Sequence, residues 1–552
     1  MRTVAVTSNN TAAAGKAAAH AALAPLAALL LAASVAACQG CHTAGAGSRT
    51  TNDVSHPTVR LYLASDLAGA LEPCGCTKDQ LGGLTHAAAW MTAERANAPV
   101  SALVTSGPLF FLDPSLKPDR KDQDTAKAET IAESLKQLGL VGFAGGANDW
   151  AGGEPVLSQL TQASGPMLAE NLGAGGGAPW VGTVLREMNG VKVGFVGVSA
   201  LPLASDMKAL PPADAARQGL AALKKQGADV VILLAAVGRG EAKRIADTVP
   251  GLTAIVVGSD SSTGEGNTTA PPAERIGDAI IAQTANHLQT MAVLDLYVRD
   301  GSFAFADGSG LEESRKKDDL TRRIDELHVK IAGWEKDKKI AQADLDARKA
   351  DLAKLEAERV ALDVRPTPKE GSFFRYTVKE IREALGTDHT IAAELAGYYK
   401  KVNEHNKVAF ADRVPVPAAK GQPSYVGNEE CTTCHDSARA VWDKTRHAHA
   451  YATLADQDKQ FNLDCVSCHV TGYEEPGGST VTHVELLKDV QCEVCHGPGS
   501  LHSKSPKTVK PVVSKPGPDR CLACHHPPHV EGFDAKAKME EILGPGHGKP
   551  DN

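Results

Sequence analysis

The sequence predicts a multidomain protein, with an α/β sandwich first, a long helical segment next and a small, mostly α-helical domain last. Three observations support this order. A chain of 552 residues is too long for one ordinary domain. Short apolar runs alternate with amphipathic stretches in the first half of the chain. Eight of the twelve cysteines fall after residue 430, within four CxxCH motifs.

The overall charge argues against one class of partner. The net charge is −8, the pI is about 6.2 and no basic stripe is present, so we expect no nucleic-acid partner. Aromatic residues make up only 4% of the chain. A large core must therefore be aliphatic, or be filled by something other than side chains.

The N-terminus has the pattern of an export signal. Arg2 and Lys16 supply positive charge, and residues 21–37 form an apolar stretch of about the length of a signal-peptide core. We predict a signal peptide over 1–37, a flexible tether over 38–57 and an exported mature protein. Export would place the chain in an oxidising compartment.

Residues 58–308 have the pattern of one α/β domain. SALVTSG, VKVGFVGVS, ADVVILLAAVG and LTAIVVGSD predict buried strands, and DTAKAETIAESLKQLG and GEAKRIADTV predict helices between them. Strands that alternate with helices favour a sheet architecture covered by helices.

Residues 309–364 are dense in charged residues and alanine, and their apolar residues follow an alternating four-three spacing. One interpretation is a coiled-coil dimer. The other is a single long helix, or a hairpin of two, packed on its own chain. Charged residues break the apolar seam and favour the second interpretation: Lys338, Arg348 and Arg359.

Residues 365–422 predict a helical connector followed by a linker. RPTP at 365–368 ends the preceding helix, because proline cannot continue it. Residues 374–410 predict two further helices. VPVPAAKGQP at 414–423 is a Pro-rich linker to the last domain, which spans 423–552.

The last domain repeats one motif four times: CTTCH at 431–435, CVSCH at 465–469, CEVCH at 492–496 and CLACH at 521–525, here the first to fourth motifs. Two thiols one short turn apart can add to the two vinyl groups of haem, and the next histidine is placed to ligate the iron. Zinc sites and disulfides would not require that histidine in every copy. The pattern predicts four c-type haems, attached through Cys431, Cys434, Cys465, Cys468, Cys492, Cys495, Cys521 and Cys524, with His435, His469, His496 and His525 as proximal ligands.

The second axial ligands are predicted to be histidines. Met539 is the one methionine of the domain, so methionine cannot be the general ligand. Bis-histidine ligation gives lower potentials than His/Met ligation. The spare histidines are His447, His449, His483, His502, His526, His529 and His547. Four are distal candidates: His447, His449, His483 and His502. His547 is interpreted as a solvated surface residue.

The stretch VAACQGCH at 35–42 has two interpretations that compete for one sulfur. VAAC at the end of an apolar run is typical of a lipoprotein cleavage site, with a lipid on Cys38. CQGCH instead has the form of a haem motif on Cys38 and Cys41. A haem on a flexible tether would have no packing around it, which favours the lipid. We predict a lipoprotein anchored on the periplasmic side of a membrane, with a fifth haem as the alternative.

The motifs and their flanks carry a family resemblance over residues 423–535. YVGNEECTTCHDSARAVWDKTRHAHAYATL, CVSCHVTGY and VQCEVCHGPGSLH resemble the tetraheme cytochrome c family typified by the electron carrier of ammonia-oxidising bacteria. The resemblance implies stacked haems that pass electrons. It also implies distal ligands from the histidines of HAHA and GSLH.

A second resemblance covers residues 58–300. LYLASDLAGALEPCGCTKDQLGGLTH at 61–86 resembles the opening of exported 5′-nucleotidase-like metallophosphoesterases, whose active members hold two metals that activate water. Of the family's metal ligands only Asp66 and Asn148 remain. The other ligand positions hold residues that cannot bind a cation: Ala68, Pro108 and Ser259. The domain is therefore predicted to be inactive.

Cys74 and Cys76, in PCGC, lie in a predicted loop beside this position. They allow a metal site, a redox site, a small local disulfide or two free thiols, and the sequence does not rank these interpretations.

The predicted fold class is multidomain: an α/β metallophosphoesterase-like sandwich, a long helical segment and a mostly α multihaem cytochrome c domain. The favoured function is an exported cytochrome that carries electrons through bis-His haems to and from redox protein partners, with no catalytic residue of its own. Two alternatives remain open. One is a multihaem reductase of a small nitrogen or sulfur compound, and the other is an active metallophosphoesterase with a redox domain.

Overall fold

The computed structural model describes residues 55–73, 80–98, 100–173, 178–335, 340–362, 367–526, 529–530 and 532–550. The predicted signal peptide, Cys38 and Cys41, and the pair Cys74 and Cys76 lie outside these residues, so the statements about them stay predictions. Within these ranges, no helix is long and apolar enough to cross a membrane.

Two β-sheets form the centre of the first domain. The larger has the strand order β13-β14-β12-β1-β2-β3-β4-β5, and the smaller has the order β10-β11-β9-β8-β7-β6. The strands are β1 (Val59–Ser65), β2 (Ser101–Gly107), β3 (Leu140–Gly145), β4 (Met167–Leu168), β5 (Trp180–Val181), β6 (Thr183–Met188), β7 (Val191–Val198), β8 (Val230–Ala236), β9 (Ala254–Gly258), β10 (Glu274–Ile276), β11 (Ala279–Ala282), β12 (Thr290–Tyr297), β13 (Ala306–Asp307) and β14 (Phe373–Glu380).

Helices cover the outer faces of both sheets and continue into the rest of the chain. Those of the first domain and its hairpin are α1 (Leu84–Arg95), α2 (Lys121–Gln137), α3 (Glu154–Ser164), α4 (Pro212–Lys225), α5 (Arg239–Thr248), α6 (Leu311–Trp334), α7 (Gln342–Ala361) and α8 (His389–Ala409). The last domain has α9 (Asn428–Thr432), α10 (Asp436–Trp442), α11 (Ala450–Ala455), α12 (Val466–His469), α13 (Cys492–His496), α14 (Ser500–Lys504) and α15 (Ala535–Ile542), with the two-residue strands β15 (Gly544–Pro545) and β16 (Gly548–Lys549).

The burial of strand β1 explains why the larger sheet is covered on both of its faces. Every residue of β1 is buried. A strand with no solvated face needs a covering layer on each side. Leu61 and Leu63 pack between the sheets with Phe195 and Ile232, whereas Tyr62 packs in the core beneath the helices. The predicted α/β sandwich is therefore confirmed, with two sheets between two helical layers.

Residues 373–380 form strand β14, so the prediction of two helices over 374–410 is wrong in its first half. The segment FFRYTVKE is rich in aromatic and β-branched residues, which favour strands over helices. It pairs antiparallel with β12, from Phe373 opposite Tyr297 to Glu380 opposite Thr290.

The predicted domain boundary at residue 308 is also too early. β14 lies inside the larger sheet, and α8 packs on it with the buried residues Ile391, Leu395, Tyr398 and Val402 in the same core as Tyr62. The sandwich is completed only at the end of α8, because these two elements supply part of its core.

The charged segment folds as a hairpin of α6 and α7. His328 lies 3.4 Å from Glu356 and Lys349 lies 2.6 Å from Glu335, so the two helices run antiparallel. The apolar seam is buried within the chain at Leu320, Ile324, Ile331 and Leu345. This packing corresponds to the interpretation in which the segment packs on its own chain.

The last domain contains little regular structure. Its helices are short, and its one described apolar cluster consists of Tyr451, Val466, Val470 and Val484, with Tyr473 against it. Hydrogen bonds from turns and loops hold most of the rest of this domain.

We expect Phe374→Ala to destabilise the sandwich by about 3–5 kcal/mol, because the ring is 1% exposed between the sheets. Val378→Ala on the same strand, where the side chain is 48% exposed, should cost less than about 1 kcal/mol. Urea denaturation followed by far-UV circular dichroism measures both. Equal effects of the two substitutions would contradict the place of β14 in the sheet.

Candidate functional site

The first candidate site lies at the carboxyl end of β1. The Ser259 backbone N–H donates to Asp66 Oδ1 at 2.7 Å, and the Ser259 hydroxyl lies 3.0 Å from Oδ2. A Cβ atom on Gly107 would lie 1.9 Å from Asp66 Oδ1, so the carboxylate fills the space that a side chain at 107 would need. Both oxygens of the surviving acid are thus used inside the protein.

The second surviving residue is also fully engaged. The Asn148 side-chain N–H groups donate to the carbonyls of Phe111, Leu112 and Ser262 at 2.7–3.1 Å, and its Oδ1 accepts from the Ser262 N–H at 3.1 Å. The neighbouring Asp149 is buried and accepts three backbone N–H bonds. These contacts stabilise loops, and they use both polar atoms of the Asn148 side chain in internal hydrogen bonds.

A buried histidine that the sequence did not single out lies beside this site. The His287 backbone N–H donates to the carbonyl of Asp66, and its ring Nδ1 is buried without a hydrogen-bond partner. Burial lowers the pKa of His287 to about 4, and burial raises the pKa of Asp66 to about 6 against the opposing hydrogen bonds from Ser259. In the described parts of the chain, no group of three or more His, Cys, Asp or Glu side chains could hold a metal ion. A two-metal centre does not fit these residues.

The second candidate site is formed by the four motifs, each of which winds into a short turn. In the first motif, the N–H groups of Cys434 and His435 donate to the Cys431 carbonyl at 3.2 and 3.0 Å. The fourth motif repeats this pattern on the carbonyl of Cys521. The turn keeps the two cysteines and the histidine of a motif close together in the chain, as attachment of a haem requires.

The motifs lie next to one another in two pairs. The Cys431 thiol interacts with Cys492, which joins the first and third motifs, and Cys468 interacts with Cys524, which joins the second and fourth. The buried Glu493 fixes the first pair, because it accepts N–H bonds from residues 426 and 427 just before the first motif. Neighbouring attachment points imply closely spaced groups.

Two predicted proximal histidines face predicted distal ones. The rings of His435 and His502 have centroids 6.3 Å apart, and those of His525 and His447 have centroids 6.2 Å apart. Two imidazoles that bind one metal from opposite sides at about 2.0 Å have centroids roughly 6 Å apart. Both pairs therefore fit the axial ligands of a haem iron.

Backbone carbonyls orient several of these rings. The Nδ1 atoms of His469, His496 and His502 lie 2.6–2.8 Å from the carbonyls of residues 450, 513 and 509. Such a bond fixes the tautomer and leaves Nε2 for the metal. Burial lowers the pKa values of His447, His496 and His525, which keeps these rings in the neutral form that binds metal.

His547, interpreted from the sequence as a surface histidine, makes one contact of the same kind. It is partly buried, and its Nδ1 lies 2.9 Å from the carbonyl of Ile542. It is close enough to His496 to contribute to the lowered pKa of that ring, after the larger effect of burial.

The other two distal candidates lie elsewhere in the domain. His449 lines a cavity of about 510 Å³ together with Trp442, Lys488 and Asp489. His483 has its Nδ1 3.1 Å from the Thr482 hydroxyl. Their ligation of iron stays a prediction.

The sandwich forms hydrogen bonds and an ion pair with the segment just before the second motif. Gln123 of α2 accepts from the N–H of Leu463 at 3.0 Å and from Asn406 of α8 at 2.9 Å, and it donates to Asn462 at 3.2 Å. Lys459 forms an ion pair with Glu72 at 2.6 Å. Each of these contacts joins the two domains directly, apart from the Gln123–Asn406 bond, which braces α2 against α8.

The last domain contacts the edge of the sandwich that carries Asp66, Pro108 and Ser259. Glu72, Arg120 and Glu265 lie in the segments that follow β1, β2 and β9, and these strands lead into Asp66, Pro108 and Ser259. Their partners are Lys459, Asp464 and His529. In open α/β sheets this edge is where ligands bind. Here three of its loops bind the neighbouring domain.

Residues 430–497 match the family model of cytochrome c554 and c-prime. Cytochrome c-554 of Nitrosomonas europaea is 33% identical over 134 aligned positions, which cover 18% of this chain and 57% of that protein. The C-terminal region is cytochrome c554-like. The match implies covalently bound c-type haem, in agreement with the ligand pairs. The chain spans just over half of this curated relative.

Three solved structures are similar to the sandwich at low identity. The 5′-nucleotidase precursor of Thermus thermophilus has a TM-score of 0.42 and 13% identity, over 65% of this chain and 61% of that one. The sulfate thiohydrolase SoxB of the same organism has a TM-score of 0.37 and 14% identity, over 45% and 55%. The calcineurin-like phosphoesterase YfkN of Bacillus subtilis has a TM-score of 0.35 and 17% identity, over 44% and 86%.

We expect His502→Ala to convert one haem from low-spin to high-spin, because the ring opposite His435 is removed. The other haems should keep their spectra. Electron paramagnetic resonance of the purified protein measures the change. His405→Ala, at an exposed histidine of α8, is the control and should alter no haem signal. An unchanged low-spin signal in the His502 variant would contradict the pairing.

We expect Asp66→Asn to weaken the pH dependence of stability between about pH 4 and pH 6. The folded pKa is raised, so the folded state keeps a proton that the unfolded state releases, and stability falls as the pH rises through this range. The loss is about 3 kcal/mol at roughly 1.4 kcal/mol per pH unit. Urea denaturation at pH 4 and pH 7 measures it, and an identical pH dependence in both proteins would contradict the raised pKa.

Proposed function

We propose that this chain is an exported multihaem cytochrome that carries four c-type haems and passes electrons between redox protein partners. The observation that carries the proposal is the pairing of His435 with His502 and of His525 with His447 at the spacing of axial ligands. Haem bound there would supply a one-electron iron couple. The chain's thiols would attach it, and its imidazoles would hold the iron from both sides.

Bis-histidine ligation suits a carrier better than a catalyst. An iron with two strong ligands has no free position for a substrate, and it exchanges electrons with little rearrangement. Histidine ligation also keeps the potential below that of His/Met haems. Neighbouring motifs support transfer from one haem to the next within the domain.

The sandwich is proposed to act as a docked scaffold without phosphoesterase activity. The side-chain polar atoms of Asp66 and Asn148 form internal hydrogen bonds. The loops around them contact the cytochrome domain. A metal pair that activates water and clamps phosphate needs open ligands at this edge.

Export and anchoring complete the proposal. The apolar stretch at 21–37 and the VAAC sequence support a signal peptide and a lipid on Cys38. The protein would then work on the periplasmic side of a membrane, where covalent haem attachment is possible.

One observation favours a second candidate. Neither imidazole pair includes His469 of the second motif or His496 of the third. An open iron there would suit a reductase of a small nitrogen or sulfur compound, since such substrates bind the metal directly.

We expect the purified protein to contain four covalent haems. Pyridine haemochrome absorbance per protein, together with the intact mass after signal removal, measures the number. A count of five would assign the motif at Cys38 and Cys41 to haem rather than lipid. Zinc without haem would contradict the whole proposal.

The same preparation separates carrier from reductase. A carrier should be low-spin throughout and should not bind carbon monoxide. A high-spin signal in the oxidised protein, together with binding of carbon monoxide to the reduced protein, would favour the reductase.

We expect no hydrolysis of nucleotides or phosphodiesters with added manganese or zinc, because Ala68, Pro108 and Ser259 provide no strong metal ligand. Release of phosphate at each metal concentration measures this. Turnover that is lost in Asp66→Asn would contradict the prediction, whereas turnover that survives in that variant would indicate a contaminating enzyme.

A further inference from the structure

The sandwich places two positive charges beside the second motif. Asp464 immediately precedes the attachment residue Cys465. The Lys127 ammonium lies 2.6 Å from Asp464 Oδ2, and the Arg120 guanidinium contacts Oδ1. Lys127 lies in α2 and Arg120 immediately precedes this helix, so both cations come from a part of the chain far before the motif.

These three side chains are shielded from water. Asp464, Arg120 and Lys127 are 27%, 25% and 18% exposed. Burial alone would raise the pKa of Asp464, but Lys127 and Arg120 hold it well below its usual range, so the carboxylate stays charged. Charges that are partly removed from water interact over longer distances than exposed ones.

Buried hydrogen bonds hold Asp464 in its place between the two cations. The segment that carries Asp464 is held on α2 by Gln123, which accepts the Leu463 N–H, and the Asn462 side chain accepts the N–H of Asp464 at 2.8 Å. These buried amides fix the carboxylate at one place between the cations. Two other ion pairs between the domains, Lys459 with Glu72 and His529 with Glu265, contact residues farther along the chain from Cys465.

We propose that Lys127 and Arg120 set the reduction potential of the haem on the second motif by neutralising Asp464. The inference rests on the proposed haem at this motif. The redox step is the addition of one electron from an external reductant to ferric iron, with no bond made or broken. A negative charge nearby stabilises the ferric form and lowers the potential, and a neutralising cation raises it.

The expected size follows from Coulomb's law. A unit charge about 10 Å from a redox centre, at an effective dielectric constant of 20, changes the ratio of oxidised to reduced form roughly tenfold. A tenfold change corresponds to about 59 mV for one electron. Such a shift is within the range of a spectroelectrochemical titration.

The experiment is a redox titration of the full-length protein with charge variants at the cluster. Lys127→Met should lower the midpoint potential of one haem by about 59 mV, which is a roughly tenfold change in the ratio of oxidised to reduced form. Arg120→Gln should lower the same midpoint potential. Asp464→Asn should raise it. The double variant Lys127→Met/Asp464→Asn should lie between the single variants.

Two control variants distinguish an effect of charge on the midpoint potential from an effect of altered structure. Lys127→Arg keeps the charge and should keep the midpoint. Arg322→Met removes a cation from exposed ion pairs within α6 and should shift no midpoint. A purely structural role would move the midpoints of Lys127→Met and Asp464→Asn in the same direction, which would overturn the inference.

The haem count of each variant distinguishes the two levels of the proposal. A full count with unchanged midpoints in Lys127→Met and Asp464→Asn overturns the charge effect and leaves the cytochrome proposal intact. A protein without haem on Cys465 and Cys468, established by mass spectrometry of the haem peptides, overturns both.

Discussion

The need to satisfy a buried amide determines how the two domains meet. Gln123 is 2% exposed, and an unpaired buried polar group costs about 1–3 kcal/mol. Its partners are Asn406 in the sandwich and the segment 462–463 in the last domain. All of these bonds form in one relative placement, so this contact fixes the second motif against α2. The positions of Asp464 and of the other loop contacts depend on that placement.

The edge of the sandwich that contacts the last domain is the edge at which strands β1, β2 and β9 end. In α/β sheets, strands end where ligands usually bind, because loops with free polar groups gather there. In this protein those polar groups bind each other, as Asp66 does with Ser259, or bind the cytochrome domain, as Glu72 does with Lys459. Three loops at this edge therefore contact the covalently connected neighbouring domain.

Local patterns predicted the parts that depend on nearby residues. The apolar runs indicated the strands of the sandwich, and CxxCH spacing indicated the attachment points and proximal histidines, since both signals lie within a few positions. β14 was missed because its aromatic residues lie between helices, and only its pairing with β12 defines it. Gln123 was missed for the same reason, because its partners are distant in sequence.

All elements of the sandwich, including β14 and α8, precede the first haem motif in the chain. Domains tend to fold as units as the N-terminal part of the chain becomes available. The sandwich can therefore be complete by residue 409, before any cysteine of the four motifs has emerged. In the proposed cytochrome, the segment with the four motifs would then meet a folded sandwich, and haem attachment at Cys465 would take place on a chain whose docking partner is already in place.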